Sequence, residues 1–560
     1  MSFLKTRLNF SNNEKKNFVE ETATFDAPIE PLDSNKSIQL DQHGNVSEDQ
    51  VLARDFKARH VSMMAIASAI GTGLIIGSGT AYQKGGAAAL FVGYIFTGTI
   101  LIIVLFSLGE MAAMCPMDKA FSGYCTRFCD KSLGFAAGWN YFFNYALTLA
   151  SELSAVGIII QFWRPDLNPG IFVAVFIVVT TAGNFLSVRF YGEVEFWVSV
   201  VKLITLAICF ITCLVISCGG GPDHTTVGFQ YWRHGNAFLQ YKLEGGPGRF
   251  LGWWACVIQS VFAYAGSECI GIIFGEAPDP RKVVPKATRQ VFVRICGVYI
   301  LGVFLLSIAV SPTNPRFATA SHNAGASPFV IAIETSGIRV LPSFVNACLL
   351  FFVGGAANSD IYLGSRSLYG LARDGMAPKI FLKLNRFGIP YYGSVFTALF
   401  GLLAFMTTSS GASNIFGYLT SAVSVFSLLT WLNVLIAYIT FYHATEYQKI
   451  PREDIPFRMW FQPYLSYVAI FFICIIIFFN GWDAFVTEWN YREFLTCYVG
   501  VFVYVVMILG YKIVYKTKRV TRATAKIYNY VEHVISDDEQ IDTRIASITS
   551  QMDSSNKENV

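Results

Sequence analysis

The sequence predicts an all-α polytopic membrane protein with twelve transmembrane helices. Of its 560 residues, 53% are hydrophobic and only 14% are charged, whereas soluble chains are about one-quarter charged. Apolar runs of roughly 20 residues, the length that crosses a bilayer, recur along the chain. Two of these runs are interrupted near their middles by glycine. We expect a disordered cytoplasmic tail over residues 1–55, one transporter domain over 56–515 and a cytoplasmic tail, also disordered, over 516–560.

The predicted spans alternate with polar loops whose basic residues indicate the orientation of the chain. They lie near residues 61–82, 87–114, 134–163, 170–188, 194–218, 251–276, 290–311, 342–370, 391–407, 413–442, 464–482 and 494–514. With the N-terminus inside, the inward loops carry fifteen Lys and Arg residues and the outward loops carry eight. This bias follows the positive-inside rule, so both termini are expected in the cytoplasm. The N-terminal segment lacks the apolar region of a cleavable signal, and the first span is expected to direct insertion.

The first span, VSMMAIASAIGTGLIIGSGTAY, is interrupted at Gly71, Thr72 and Gly73. Glycine weakens a helix interior, and in hydrocarbon an unwound turn is tolerated only where it is buried in protein or lines a cavity. Such discontinuous helices mark the binding sites of secondary transporters. The alternative is that both glycines allow close packing against a neighbouring helix. From this span alone, neither interpretation is favoured.

The sixth span, LGWWACVIQSVFAYAGSECIGIIFGE, repeats the interruption at Ala265-Gly266-Ser267 and adds Glu268. A carboxyl group inside a span is costly and is a functional candidate by default. The second break comes five spans after the first, and because five is odd, the second set of five enters the membrane from the opposite side. Spans 1–5 and 6–10 are therefore predicted to be inverted repeats, with two helices appended and the two breaks facing each other at the midplane.

The exposed ends of broken helices suit an amino acid. Free N–H groups and the positive end of the helix dipole favour a carboxylate, and free carbonyls favour an ammonium group. We expect Thr72 and Gly73 to donate to the carboxylate of the substrate. Carbonyls near Ala69, Ile70 and Ala263 are expected to accept from its amine.

The chain resembles the fungal amino acid permeases of the amino acid–polyamine–organocation superfamily, and most closely their dicarboxylic branch. The resemblance covers about residues 54–520. It rests on IGTGLIIGSG, SLGEMAAMCP, FYGEVEFWVSVVKLI, FAYAGSECIGIIFGEAPDPRKVVPKA and AANSDIYLGSRSLYGLARDGMAPK, and for the branch on GGGPDHTTVGFQYWRHGNAF, FVNACLLFFVGGAANSDIYLGSRSLYGLARDGMAPKIF and GYKIVYKTK. It implies a leucine-transporter-like fold and proton-coupled uptake at the plasma membrane.

The resemblance also lends roles to single residues. Phe262 matches an aromatic that closes over substrate, Glu268 matches a carboxylate of proton coupling or gating, and Lys202 matches a lysine that bridges helices in place of sodium, with Ser359 as its neighbour. The alternatives are a core aromatic, a structural acid and a lysine that snorkels to the surface. Glu110 is expected to be a gate or ion-pair residue. Asn358 is a candidate contact of the first span, with small-residue packing of the AANS stretch as the alternative.

The substrate range remains open at the level of the sequence. Asn144 and Glu152 of the third span are expected to face the cavity. Ionised Glu152 would repel an acidic side chain, whereas the protonated group could bind one; a hydrogen bond within the bundle is the structural alternative. Glutamate and aspartate are the first candidates by resemblance, and a broad range of neutral or basic amino acids is the second.

Other classes of function are disfavoured. The twelve cysteines are scattered and the seven histidines form no ligand cluster, so we expect no metal and no cofactor, and the chain offers no catalytic constellation of an enzyme. A non-transporting amino acid sensor is the alternative of another class. The expected partners are an amino acid, a proton and membrane lipid, without nucleic acid, and with ubiquitylation or phosphorylation machinery at the tails.

Overall fold

The computed structural model describes residues 70–115, 117, 120–222, 224–233, 235–269, 271, 280–320, 327–410, 412–486 and 489–527. Within these ranges the chain forms helices joined by turns, and no strand. The predicted N-terminal tail, the first half of span 1 including Ala69, and residues 528–560 lie outside the described residues.

Helical segments, named α1 to α12, follow the twelve predicted spans in order through these ranges. They are α1 (Ser78–Gly85, entered through a π-helical turn at Gly73–Gly77), α2 (Ala87–Met114), α3 (Lys131–Gln161), α4 (Pro169–Asn184), α5 (Val188–Ser217), α6 (Gly245–Tyr264), α7 (Pro280–Arg294, continued by a π-helical segment Ile295–Ile300 and by Leu301–Ala309), α8 (Leu341–Arg373), α9 (Tyr391–Phe400), α10 (Ala412–Tyr447), α11 (Tyr464–Phe478) and α12 (Tyr491–Tyr515). Short helices lie between them at Ala120–Phe128, Pro315–Ala320, Pro328–Thr335, Thr407–Ser410 and Asp483–Val486.

Most of these segments are built to cross a bilayer. Seven described helices are long and apolar enough to span: α2, α3, α5, the later part of α7, α8, α10 and α12. Three shorter apolar helices occupy the positions of α4, α9 and α11. The last helix, α12, exposes apolar side chains such as Val506, Ile513 and Val514, which would face lipid. The chain is therefore a polytopic helical membrane protein, as predicted.

Polar residues set the starts of three central helices. The side chains of Asp130, Asn168 and Ser187 accept hydrogen bonds from backbone N–H groups in the first turns of α3, α4 and α5. These caps satisfy donors that a helix start leaves free. Pro169 follows directly at the start of α4, where its fixed φ angle and missing N–H are tolerated.

The third helix forms the centre of the bundle and packs most extensively against α8 and α10. Small residues permit this: a Cβ at Gly138 would overlap the Leu371 side chain of α8. Polar side chains add links, since Asn140 donates to the Phe426 carbonyl of α10 at 2.9 Å and Asn346 of α8 donates to the Ile159 carbonyl at 2.9 Å. Close approach and interhelical hydrogen bonds are what holds helices together in lipid.

The chain beyond α12 differs from the expected disordered tail. Through residue 527 it packs across the predicted cytoplasmic end of the bundle, where Val520 donates its N–H to the Cys129 carbonyl at 2.7 Å and Gln448 donates to the Ala525 carbonyl at 2.8 Å. Ala525 and Ile527 are buried. Backbone groups make most of these bonds, which explains why the polar composition of this segment gave no sign of them.

Candidate functional site

The two predicted breaks meet backbone to backbone at Gly73 and Ala263. A Cβ on Gly73 would overlap the Cα of Ala263 and lie 2.9 Å from its N atom. Such contact leaves no room for a side chain, so the close-packing interpretation holds for Gly73. The effect is that the break of α1 lies directly against the end of α6.

The break that follows α6 has a different origin. Helix α6 ends at Tyr264, Gly266 takes a φ angle of 81°, and a 3₁₀ turn follows at Ser267–Cys269. Such a φ favours glycine, and a Cβ on Gly266 would meet no atom within 4 Å. Gly266 is thus required by its own backbone conformation rather than by packing.

A small cavity lies between these breaks, α3 and α8. It encloses about 40 Å³, which is room for a few water molecules. Eight residues that the sequence predicts for the site line it: Gly71, Gly73, Asn144, Glu152, Phe262, Ala263, Gly266 and Ser359. The rest of the lining consists of Tyr145, Thr148, Ala265, Cys269, Ala356, Asp360 and Leu363. The structure therefore brings the predicted substrate residues together, and their binding role stays a prediction.

Thr72, one of the two residues expected to donate to a substrate carboxylate, is already engaged. Thr72 donates its N–H to Oε1 of Glu152 at 3.3 Å and its hydroxyl to the same oxygen at 2.9 Å. A Cβ on Gly71 would come within 2.8 Å of that oxygen, so glycine at this position admits the carboxylate. Of the predicted acceptors, Ile70 is fully buried and Ala263 lines the cavity, while Ala69 lies outside the described residues.

Phe262 forms part of the cavity wall and is 4% exposed. Its ring stands edge-on to that of Phe416 in α10, with centroids 5.9 Å apart and an interplanar angle of 86°. This is a favourable aromatic geometry. The contact couples the ring expected to close over substrate to α10.

Glu268 lies behind the cavity wall and is fully buried. Asn144 donates to Oε1 at 3.4 Å, and the indole of Trp431 in α10 donates to Oε2 at 3.3 Å. Ser427 in turn donates to Oδ1 of Asn144 at 3.1 Å. The carboxyl group therefore links the break of α6 to both α3 and α10.

Lys202 of α5 is fully buried and does not snorkel to the surface. Its Nζ atom lies against α8, where a Cβ on Gly355 would be 3.3 Å away, and makes no hydrogen bond within the described part of the chain. Its predicted neighbour Ser359 instead accepts a hydrogen bond from Tyr191 at 3.1 Å. The lysine thus bridges α5 and α8 by packing and charge.

Two carboxyl groups that lie near Lys202 were not among the residues predicted from the sequence. Glu195 of α5 and Asp360 of α8 are buried and, with Glu152, interact electrostatically with the lysine. Glu195 precedes Lys202 by seven residues, about two helical turns, so both lie on one helix face. Asp360 follows Ser359 directly. The cost of a carboxyl group inside a span could have identified both.

Two further predicted residues lie away from the cavity. Glu110, near the end of α2, accepts from Nη2 of Arg452 at 3.0 Å and from the N–H of Met459 at 3.3 Å. Asn358, expected to contact the first span, instead accepts from Nδ2 of Asn184 in α4 at 2.7 Å. Glu110 therefore occupies an ion pair at the predicted cytoplasmic end.

Comparison with known proteins identifies a family. The family model described as Amino acid permease matches residues 60–523. The chain is 53% identical over 479 residues to an uncharacterized amino-acid permease of Schizosaccharomyces pombe, covering 85% of this chain and 92% of the relative. It is 42% identical over 493 residues to a dicarboxylic amino acid permease of Saccharomyces cerevisiae (87% and 81%) and 38% identical over 492 residues to a lysine-specific permease of that yeast (88% and 80%).

A solved structure supports the fold. The chain is similar to a manganese transporter from Eremococcus coleocola, with a TM-score of 0.53 over 81% of this chain and 94% of the other, at 11% identity. Identity this low speaks for the fold alone. Together with the helical spans, which follow the predicted order, the match confirms the predicted leucine-transporter-like fold.

Proposed function

This chain belongs to the amino acid permease family, and we propose that it imports amino acids together with protons across the plasma membrane, with both termini in the cytoplasm. The observation that carries the proposal is the cavity at which the predicted breaks of spans 1 and 6 meet. Backbone groups at interrupted helices suit a zwitterion, and two such interruptions that meet at one cavity suit alternating access rather than a channel.

Glutamate and aspartate are the first candidate substrates. The support for them is the 42% identity to a dicarboxylic amino acid permease. The relatives of known name differ in specificity, however, and a lysine-specific permease is nearly as similar at 38%. Similarity to the family therefore supports amino acid import more strongly than it supports any one amino acid as the substrate.

Neutral or basic amino acids are the second candidates, and the cavity lining favours them. Glu152 and Asp360 both line the cavity, whereas none of its other lining residues, within the part of the chain that the structure describes, is Lys, Arg or His. An acidic side chain would meet two carboxyl groups in a medium of low dielectric, which is unfavourable while either is ionised. A cationic side chain would be attracted to both.

Uptake of labelled glutamate, leucine and arginine tests the proposal in yeast cells that lack their own permeases, with and without a protonophore. Protonophore-sensitive accumulation of any of the three supports proton-coupled import, and the preferred substrate decides between the two ranges. Accumulation that persists without a proton gradient contradicts the coupling. Absence of uptake by protein at the cell surface contradicts transport and favours the amino acid sensor.

A further inference from the structure

The carboxylate of Glu152 occupies a place that suits a ligand. One of its oxygens accepts both the N–H and the hydroxyl of Thr72, at 3.3 and 2.9 Å. Thr72 immediately precedes the helical run Gly73–Gly85, so its N–H lies at the positive end of that helix. These are the groups whose chemistry favours the α-carboxylate of an amino acid, and a carboxylate is already there.

The attachment of Glu152 is incomplete. The side chain is 3% exposed, yet its second oxygen, Oε2, makes no hydrogen bond within the described residues. A buried carboxylate held at one oxygen only is held less strongly than one whose oxygens are all satisfied. It lines the same cavity that its displacement would enlarge. The present 40 Å³ is too small for an amino acid.

We propose that Glu152 is a tethered stand-in for the substrate: it holds the Thr72 donors in the empty protein and yields them to the α-carboxylate of the incoming amino acid. The inference rests on the proposed function and deepens it. The donors then face one carboxylate before and after binding, and only the identity of that carboxylate changes.

The surroundings determine what happens to the displaced group. Lys202 and Asp360 interact electrostatically with Glu152. Tyr145 and Cys269 line the same cavity, Glu268 lies next to it through Asn144, and Glu195 and Tyr191 lie on the helix that carries Lys202. Lys202 already faces two other carboxyl groups, so a third free anion is poorly compensated. Glu152 therefore takes a proton from the side at which substrate enters and gives it up on the side of release.

The test measures equilibrium binding of the substrate that the wild type takes up, be it glutamate, leucine or arginine. Binding is measured to the purified full-length wild type and to the full-length variant Glu152→Gln. A neutral amide competes less well than a carboxylate for the Thr72 donors. Binding is expected to become about tenfold tighter at pH 7, the equivalent of about 1.4 kcal/mol. Wild-type affinity should rise as pH falls, and the affinity of the variant should change much less. Glu152→Ala repeats the measurement without the amide, so the result does not depend on how glutamine packs.

Glu195→Gln is the matched control, because it removes a buried carboxyl group from the same electrostatic neighbourhood without touching Thr72. An equal gain in affinity in this control would assign the effect to net charge, and would overturn the inference that Glu152 yields the Thr72 donors to the substrate. Weaker binding in both Glu152 variants would mean that Glu152 contacts the substrate directly, and unchanged binding would make it structural; either result overturns the inference. Absence of binding to the wild type contradicts the proposed function itself.

Discussion

Buried charges in the middle of the bundle and those at its predicted cytoplasmic end are arranged differently. At the end, each carboxylate has a direct basic partner: Glu110 pairs with Arg452 at 3.0 Å and Asp130 with Lys512 at 2.8 Å. In the middle, Lys202 and both oxygens of Glu195 lie buried without an ordinary hydrogen bond among the described residues. Charges that are fully paired stabilise one arrangement of helices, whereas loosely paired charges can change protonation or partner.

Removal of the central lysine is expected to have the largest effect on stability and transport. Lys202→Met leaves three carboxyl groups around an apolar side chain, and breaking a buried charge cluster costs about 3–5 kcal/mol. We expect loss of uptake and a clearly lower melting temperature of the purified protein. Lys242→Met is the control, because Lys242 pairs with Asp483 in a more exposed position. A stable, transporting Lys202→Met variant would show that the central charges need no cation.

Glu268 tests whether the middle of the bundle couples to protons. Glu268→Gln keeps the shape of the side chain and one acceptor for Asn144 or Trp431, but it cannot exchange a proton. We expect proton-driven accumulation to fall towards equilibration while exchange of labelled substrate continues. Glu334→Gln, which removes an acid paired with Arg316 away from the cavity, serves as control. Unchanged protonophore sensitivity would exclude Glu268 from coupling.

The two partners of the ion pair at the end of α2 differ in burial, so their removal should cost different amounts of stability. The Glu110 side chain is fully buried, whereas that of Arg452 is 34% exposed. Arg452→Gln leaves a buried carboxylate without its cation and should cost about 3 kcal/mol of stability. Glu110→Gln leaves an arginine that can reach water and should cost about 1 kcal/mol. Thermal unfolding of both variants and of the double variant measures the difference; equal losses would contradict it.

Asp130 gives the smallest expected effect. Partial burial alone would raise the pKa of Asp130, but hydrogen bonds from Lys512 and Ser132 lower it to about 2. Because the folded pKa lies below the unfolded one, the stabilisation is present above about pH 4 and is lost as pH falls towards 2. Asp130→Asn keeps the helix cap and should cost under about 1 kcal/mol at pH 7.

Melting temperatures of wild type and Asp130→Asn, compared between pH 7 and pH 3, test the sign. The gap between the two melting temperatures should narrow as the pH falls, because the unfolded wild type takes up a proton at Asp130 below about pH 4 while the folded protein still holds that carboxyl group ionised. A gap that stays constant or widens would show that the charge of Asp130 does not stabilise the fold.

The sequence predicted the parts of the fold that depend on local composition. Span positions follow from apolar runs, and both breaks follow from glycine within those runs. The contact between Thr72 and Glu152 could not be predicted, since it joins residues 80 positions apart and depends on how α1 and α3 pack. Glu195 and Asp360 were within reach of the rule on intramembrane acids, but their meeting at Lys202 required the packed helices.

The backbone contact between Gly73 and Ala263 limits how this transporter can be altered. A seam without room for a side chain offers no position at which a substitution could reshape the pocket and keep the two breaks together. Redesign of selectivity must therefore work from the opposite walls, at Thr148 of α3 or Ser359 and Asp360 of α8. The Gly73–Ala263 contact is therefore the invariant side of the site, and the α3 and α8 walls are the side that substitution can change.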